Sequence, residues 1–169
     1  EVSGSIDISD DFDPGIDGTV WTTVVGATSS LGCGSVSGNA LYFDGTTRYA
    51  ETIDLNVAGG GTVDFWLIYG KNTAAPCELL DTGDEVDLDY SVNGGVSWVN
   101  ISTYSNSLYA TFTFLSETIP PAAQTGTTRF RWNQPAFSGA IYDHWSIDDM
   151  VINTIGDTLD STAIINWSP

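Results

Sequence analysis

Thr128-Arg-Phe-Arg-Trp-Asn-Gln-Pro135 sets Phe130 and Trp132 on one side of an extended chain and Arg129 and Arg131 on the other. A period of two in hydrophobicity marks a strand with one buried face and one wet face. Working outward, the same period recurs in Thr62-Val-Asp-Phe-Trp-Leu-Ile-Tyr69, Glu85-Val-Asp-Leu-Asp-Tyr-Ser-Val92 and Leu108-Tyr-Ala-Thr-Phe-Thr-Phe-Leu115. Val86, Leu88 and Tyr90 share one face, and Asp87 and Asp89 the other. Asn93-Gly94-Gly95 supplies the positive φ that a tight hairpin turn requires. Pro120-Pro121 excludes a strand or helix interior at that point. With 18 glycines and many Val, Thr and aromatic residues, the chain reads as all-β.

The 169 residues have the length of one domain, enough to bury roughly 70% of the unfolded surface in a core of its own. The charge balance is one-sided: 22 acidic residues stand against Arg48, Lys71, Arg129 and Arg131, a net charge of −18. Such a surface repels phosphate, so nucleic acid and anionic membranes are excluded as partners. No apolar run is long enough to insert into a membrane. Self-repulsion of the carboxylates weakens the fold unless salt or bound metal offsets it, and the same field concentrates divalent cations.

Four phrases in fixed order carry a family likeness: Ala40-Leu-Tyr-Phe-Asp-Gly-Thr-Thr-Arg48, Tyr90-Ser-Val-Asn-Gly-Gly-Val-Ser-Trp98, Thr128 to Pro135, and Trp145-Ser-Ile-Asp-Asp-Met-Val-Ile152. Together, from about Asp11 to Asn153, the chain resembles the subrepeats of the reelin family. The resemblance implies a two-sheet antiparallel β-sandwich, a jelly roll, spanning residues 1–155. Residues 156–169 are expected to be a last strand or a linker to a following module. It further implies a non-catalytic, extracellular binding or adhesion module of a larger secreted or surface protein, joined to neighbouring domains of the same chain. Its ligand is then a protein or a glycan at a cell or matrix surface. The alternative is a carbohydrate-binding module of a secreted multidomain enzyme.

Carboxylates gather at both ends of the chain, in Asp10-Asp11-Phe12-Asp13 and in Asp143, Asp148 and Asp149, with Asp44 after a strand. First and last strands of a jelly roll are neighbours, so these segments converge. Hard oxygen donors from several loops suit Ca²⁺. Reelin subrepeats, and the related MAM and carbohydrate-binding jelly rolls, hold a structural calcium between an acidic-Phe-acidic segment and an Ile-Asp-Asp segment. Carried over by motif, this implies Asp11 and Asp13 facing Asp148 and Asp149, with Asp44 a weaker addition. Solvated carboxylates that cap turns are the alternative. A second ion around Asp81, Asp84 and Glu85 is a lesser expectation, since that spacing lacks the ligand count of an EF-hand.

Cys33 and Cys77 fit no zinc spacing. They form either a bridge across a long loop or two buried thiols; the resemblance, which places cysteines nearby, implies the disulfide. His144 is the only histidine, it lies in the phrase that feeds the last strand, and no Gly-x-Ser-x-Gly elbow accompanies it. The chain is therefore expected not to be an enzyme.

Aromatic residues are the remaining ligand candidates, because ring faces stack on sugars or anchor protein partners. Trp66 falls on the face opposite Val63, Phe65 and Leu67, beside Asp64. It is either exposed or part of a strand buried on both sides. Tyr104 and Tyr109 lie in variable segments, where a module-specific ligand is read. Trp98, Trp132 and Trp145 are expected to pack, and Arg48, Arg129 and Arg131 to offset acidic neighbours on the outward face.

Overall fold

A computed structural model of the chain describes residues 6–70, 74–78, 82–105 and 108–155. The segment 156–169 and Asp81 lie outside the described residues. Among the described residues, eleven strands run β1 (Ile6–Asp10), β2 (Trp21–Val25), β3 (Ala27–Ser30), β4 (Ala40–Phe43), β5 (Arg48–Thr52), β6 (Gly61–Tyr69), β7 (Val86–Ser91), β8 (Val99–Tyr104), β9 (Thr113–Thr118), β10 (Arg129–Gln134) and β11 (Trp145–Thr154). All pairings are antiparallel.

One sheet has the order β3-β4-β11-β6-β9 with β1 also on β11, and the other the order β2-β5-β10-β7-β8. This is a jelly-roll β-sandwich. Its core interdigitates Leu41, Phe65, Leu67 and Ile147 of the first sheet with Leu88, Phe130 and Trp132 of the second. Alternation supplies those residues, so the strand periods read from sequence point the way the core requires. Gly26 alone joins β2 of one sheet to β3 of the other. It holds φ +66, and a Cβ there would lie 1.9 Å from the Thr47 carbonyl oxygen. Only glycine makes that corner.

β11 determines where the carboxylates go. Along one edge it pairs with β6 throughout; along the other it pairs with β4 at Trp145–Ile147 and with β1 at Met150–Thr154. Between these partners the register slips, and Asp149 adopts φ 44. The sequence forces this bulge. Ile147, Met150 and Ile152 are all fully buried, yet strict alternation would turn Met150 outward, so one extra residue must be inserted between them.

The outer face of this sheet is partly covered. Cys33 and Cys77 form a disulfide with a Cα separation of 5.8 Å, packed on Ile68 with Tyr42 and Phe112. The bridge the family likeness implied is therefore present.

Candidate functional site

The first and last strands bring the N-terminal acidic segment onto the β11 bulge. Asp10, at the end of β1, is buried, and its carboxylate accepts from the Phe12 N–H (2.8 Å), the Asp17 N–H (2.9 Å) and the Trp21 indole (2.7 Å). Three donors hold it in place, so Asp10 organises the loop, and it also lines the cavity described below. Phe12 then takes a left-handed φ of 62 and is fully buried, stacking on Trp21 at 6.1 Å. Burying Phe12 turns Asp11 and Asp13 outward, where both are exposed. One Asp13 oxygen accepts the Asn39 N–H at 3.1 Å. Gly38 is the residue that permits this approach, since a Cβ on it would lie 1.5 Å from the other Asp13 oxygen.

Asp148 and Asp149 divide their duties. Asp148 is fully buried; one oxygen accepts Val36 N–H (2.6 Å) and Ser37 N–H (3.4 Å), the other Asp149 N–H (2.8 Å). It ties the 31–39 loop to the bulge. Burial pushes its pKa up, against the hydrogen bonds that pull it down. Asp149 is half-buried at the bulge, and its pKa is raised first by desolvation and then by the charges of Asp11 and Asp13. The three carboxylates thus share one field. With Pro14, Asp17 and Met150 they line an open cavity at the seam between β1 and β11.

Of the sequence candidates, Asp11, Asp13, Asp148 and Asp149 come together here, and Asp44 does not. Asp44 is exposed beyond the other end of β4, where its charge acts on Tyr42, Arg48 and His144. Among the described residues no three His, Cys, Asp or Glu side chains are gathered into a preassembled metal cage. Asp11, Asp13 and Asp149 line this cavity with carboxylate oxygens, hard donors of the kind Ca²⁺ takes.

A second cluster, beside the start of β11, departs from the sequence expectation. Arg48 is not on the outward face but fully buried. It donates to Gly45 O (2.9 Å), Tyr142 O (2.9 Å), Asp143 O (2.8 Å) and Gln134 Oε1 (2.8 Å), and lies 4.0 Å under the Phe137 ring. Gln134 also accepts from Trp145 Nε1 (3.1 Å) and donates to Tyr69 Oη, which donates to Asp84 O. Burial lowers the Arg48 pKa, but a guanidinium stays charged in proteins. The signal was available: Arg48 shares strand parity with Ala50 and Thr52, while Tyr49 and Glu51 take the other face. Arg129 and Arg131 do sit outward, paired with Asp54 (2.6 Å) and Asp89 (2.7 Å).

His144 has both ring nitrogens engaged, one by Tyr42 Oη and the other by Ala140 O at 2.9 Å. Burial lowers its pKa. The aromatic candidates separate. Trp66 is half-buried on the outer face, its ring 5.5 Å from the exposed Phe114. Tyr104 must be corrected: it is buried, its hydroxyl donates to Glu117 (2.9 Å), and its ring is a wall of the core. Tyr109 packs edge-on against it at 5.8 Å and is likewise a packing residue. Trp132 and Trp145 are fully buried, as expected, and Trp98 stacks 4.2 Å over Arg131.

Comparison with known proteins places this geometry. A family model described as Reelin subrepeat B matches residues 26–153. Two cleaved adhesin domains of Lys-gingipain from Porphyromonas gingivalis W83 have the same fold. One has TM-score 0.64 at 18% identity, and the other 0.65 at 14%; each covers 89% of this chain and 99% of its own. A family 29 carbohydrate-binding module superposes with TM-score 0.57 at 13% identity, covering 90% of this chain and 91% of the module.

Proposed function

The chain belongs to the reelin subrepeat B family, and from that premise we propose that it is a non-catalytic, extracellular binding or adhesion module stabilised by Ca²⁺. Asp11, Asp13 and Asp149 hold the ion, and Asp148 positions the bulge and the 31–39 loop around it. The observation that carries this reading is the meeting of two left-handed residues, Phe12 and Asp149. Each is a backbone cost of order 1–3 kcal/mol, and together they bring three carboxylates into one cavity, where burial first and then the charges of Asp11 and Asp13 raise the Asp149 pKa. A divalent ion would remove that repulsion and clamp β1 to β11, so folding and metal binding are linked.

Binding rather than turnover is supported by three features. The single histidine has both nitrogens occupied, both cysteines are in the disulfide, and the similar structures are adhesin and carbohydrate-binding domains. The disulfide also fits an oxidising, extracellular setting. Among the described residues no helix is long and apolar enough to cross a membrane. A glycan ligand in place of a protein is the second reading, favoured by partly exposed aromatic rings on both sheets.

The test is retention of the labelled module on arrays of purified matrix proteins and of glycans, each in calcium and in EDTA. Saturable retention that weakens in EDTA is expected. Hydrolysis of array glycans, with no retention on either array, would overturn the reading in favour of an enzyme.

A further inference from the structure

We propose that the outer face of the five-stranded sheet is a binding platform for a neutral glycan, with Tyr49, Asn133, Asp87 and Thr103 as its floor. The inference rests on the reading of the chain as a binding module and says which surface does the binding. Register places these four side chains in one row across β5, β10, β7 and β8: Tyr49 opposite Asn133, Asn133 opposite Asp87, and Asp87 opposite Thr103. Neighbouring strands lie about 4.8 Å apart, so the row presents a ring, an amide, a carboxylate and a hydroxyl over about 14 Å. Sugar hydroxyls demand that mixture, because each both donates and accepts, and an aromatic face takes the apolar side of the ring.

The groups on this row are available. Asn133 and the Tyr49 hydroxyl make no side-chain hydrogen bond to other described residues, and both residues are half-buried on the wet face. Asp87 accepts from Thr103 through one oxygen at 2.6 Å, which fixes the carboxylate and leaves the other oxygen to a ligand. The next row, Glu51, Arg131 and Asp89, is held by the Arg131 ion pair. The β7–β8 hairpin folds back over it: Trp98 caps Arg131, and a Cβ on Gly95 would lie 3.4 Å from Trp98 and 3.7 Å from Glu51. The floor therefore has a raised border on one side.

The rival surface is the Trp66 face of the other sheet. There the polar groups are spent on one another: Ser116 donates to Asp64 (2.6 Å) and Asn153 donates to its second oxygen (2.6 Å). Trp66 and Phe114 are tilted by 60°, so no common ring plane is offered. Charge selects the glycan class. With a net charge of −18 and Asp87 in the floor, uronic and sulfated sugars are repelled, and neutral ones are not.

The experiment is native affinity electrophoresis of the intact chain in gels containing dextran, mannan, hydroxyethylcellulose or, as the anionic case, polygalacturonate. Retardation by at least one neutral polymer and none by polygalacturonate is expected. Tyr49→Ala and Asp87→Asn, each checked for an unchanged melting temperature, should weaken it roughly tenfold or more, and Trp66→Ala should leave it unchanged. Loss with Trp66→Ala but not with Tyr49→Ala or Asp87→Asn would overturn this face while leaving a glycan-binding module. No retardation in any neutral gel would overturn the platform and leave the protein-adhesion reading standing.

Discussion

The start of β11 and its central bulge solve the same electrostatic problem in opposite ways. Beside Trp145, the chain supplies its own cation: Arg48 is buried among the carbonyls of Gly45, Tyr142 and Asp143 and the Gln134 amide, with the charge of Asp143 nearby. Beside Asp149, three carboxylates meet, and among the described residues no cationic side chain hydrogen-bonds or ion-pairs with Asp11, Asp13 or Asp149. The first site is self-sufficient. The second has carboxylates without a described cation, which is why calcium is proposed there and not at the first.

The comparison breaks most visibly at Arg48. Arg48→Ala leaves several buried acceptors unpaired and should cost roughly 3–5 kcal/mol, read as a fall in urea midpoint that added calcium does not repair. Reduction of the Cys33–Cys77 bridge, which spans 44 residues, should cost about 2–4 kcal/mol. That loss also frees the 31–39 loop that carries the Val36 N–H and Gly38 to the acidic site, so calcium affinity should fall with it.

The acidic site has its own pH signature. Asp148 and Asp149 have folded-state pKa values raised above the ordinary 3.8, so the folded chain binds protons that the unfolded chain has released. In EDTA, their contribution to stability is fully present below pH 3.8 and is lost as pH rises through the raised values. Asp149→Asn should flatten that slope and modestly raise the melting temperature in EDTA, because it removes a like charge from Asp11 and Asp13. The smallest effect is expected at the surface pair. Arg129→Ala, which releases the exposed Asp54, should change stability by less than about 1 kcal/mol and vanish into the error at high salt.

Legibility in the sequence followed the same division. Alternation exposed β10, which buries one face only, and the first part of β6, while the ends of β6 and β7 are buried on both faces. The meeting of Asp11, Asp13, Asp148 and Asp149 followed from motif order, since a jelly roll pairs its ends. The choice between Asp148 and Asp149 was hidden, because it depends on which oxygens the Val36 and Ser37 N–H groups occupy, a long-range contact with no local trace. The bulge itself was latent in Ile147, Met150 and Ile152, which cannot all face inward without an inserted residue. Arg48 follows strand parity with Ala50 and Thr52, against the outward preference of its charge. Tyr104 was not legible because a tyrosine at the end of a strand reads the same whether its ring is core or surface.

The most direct test is thermal unfolding of EDTA-treated protein alone, with millimolar Ca²⁺, and with Mg²⁺ at equal ionic strength. The account predicts a rise specific to calcium that is abolished in Asp149→Asn and persists, at a lower baseline, in Arg48→Ala. Coincident curves in all three solutions, or a calcium rise that survives Asp149→Asn, would contradict the assignment of a cation to the Asp149 site.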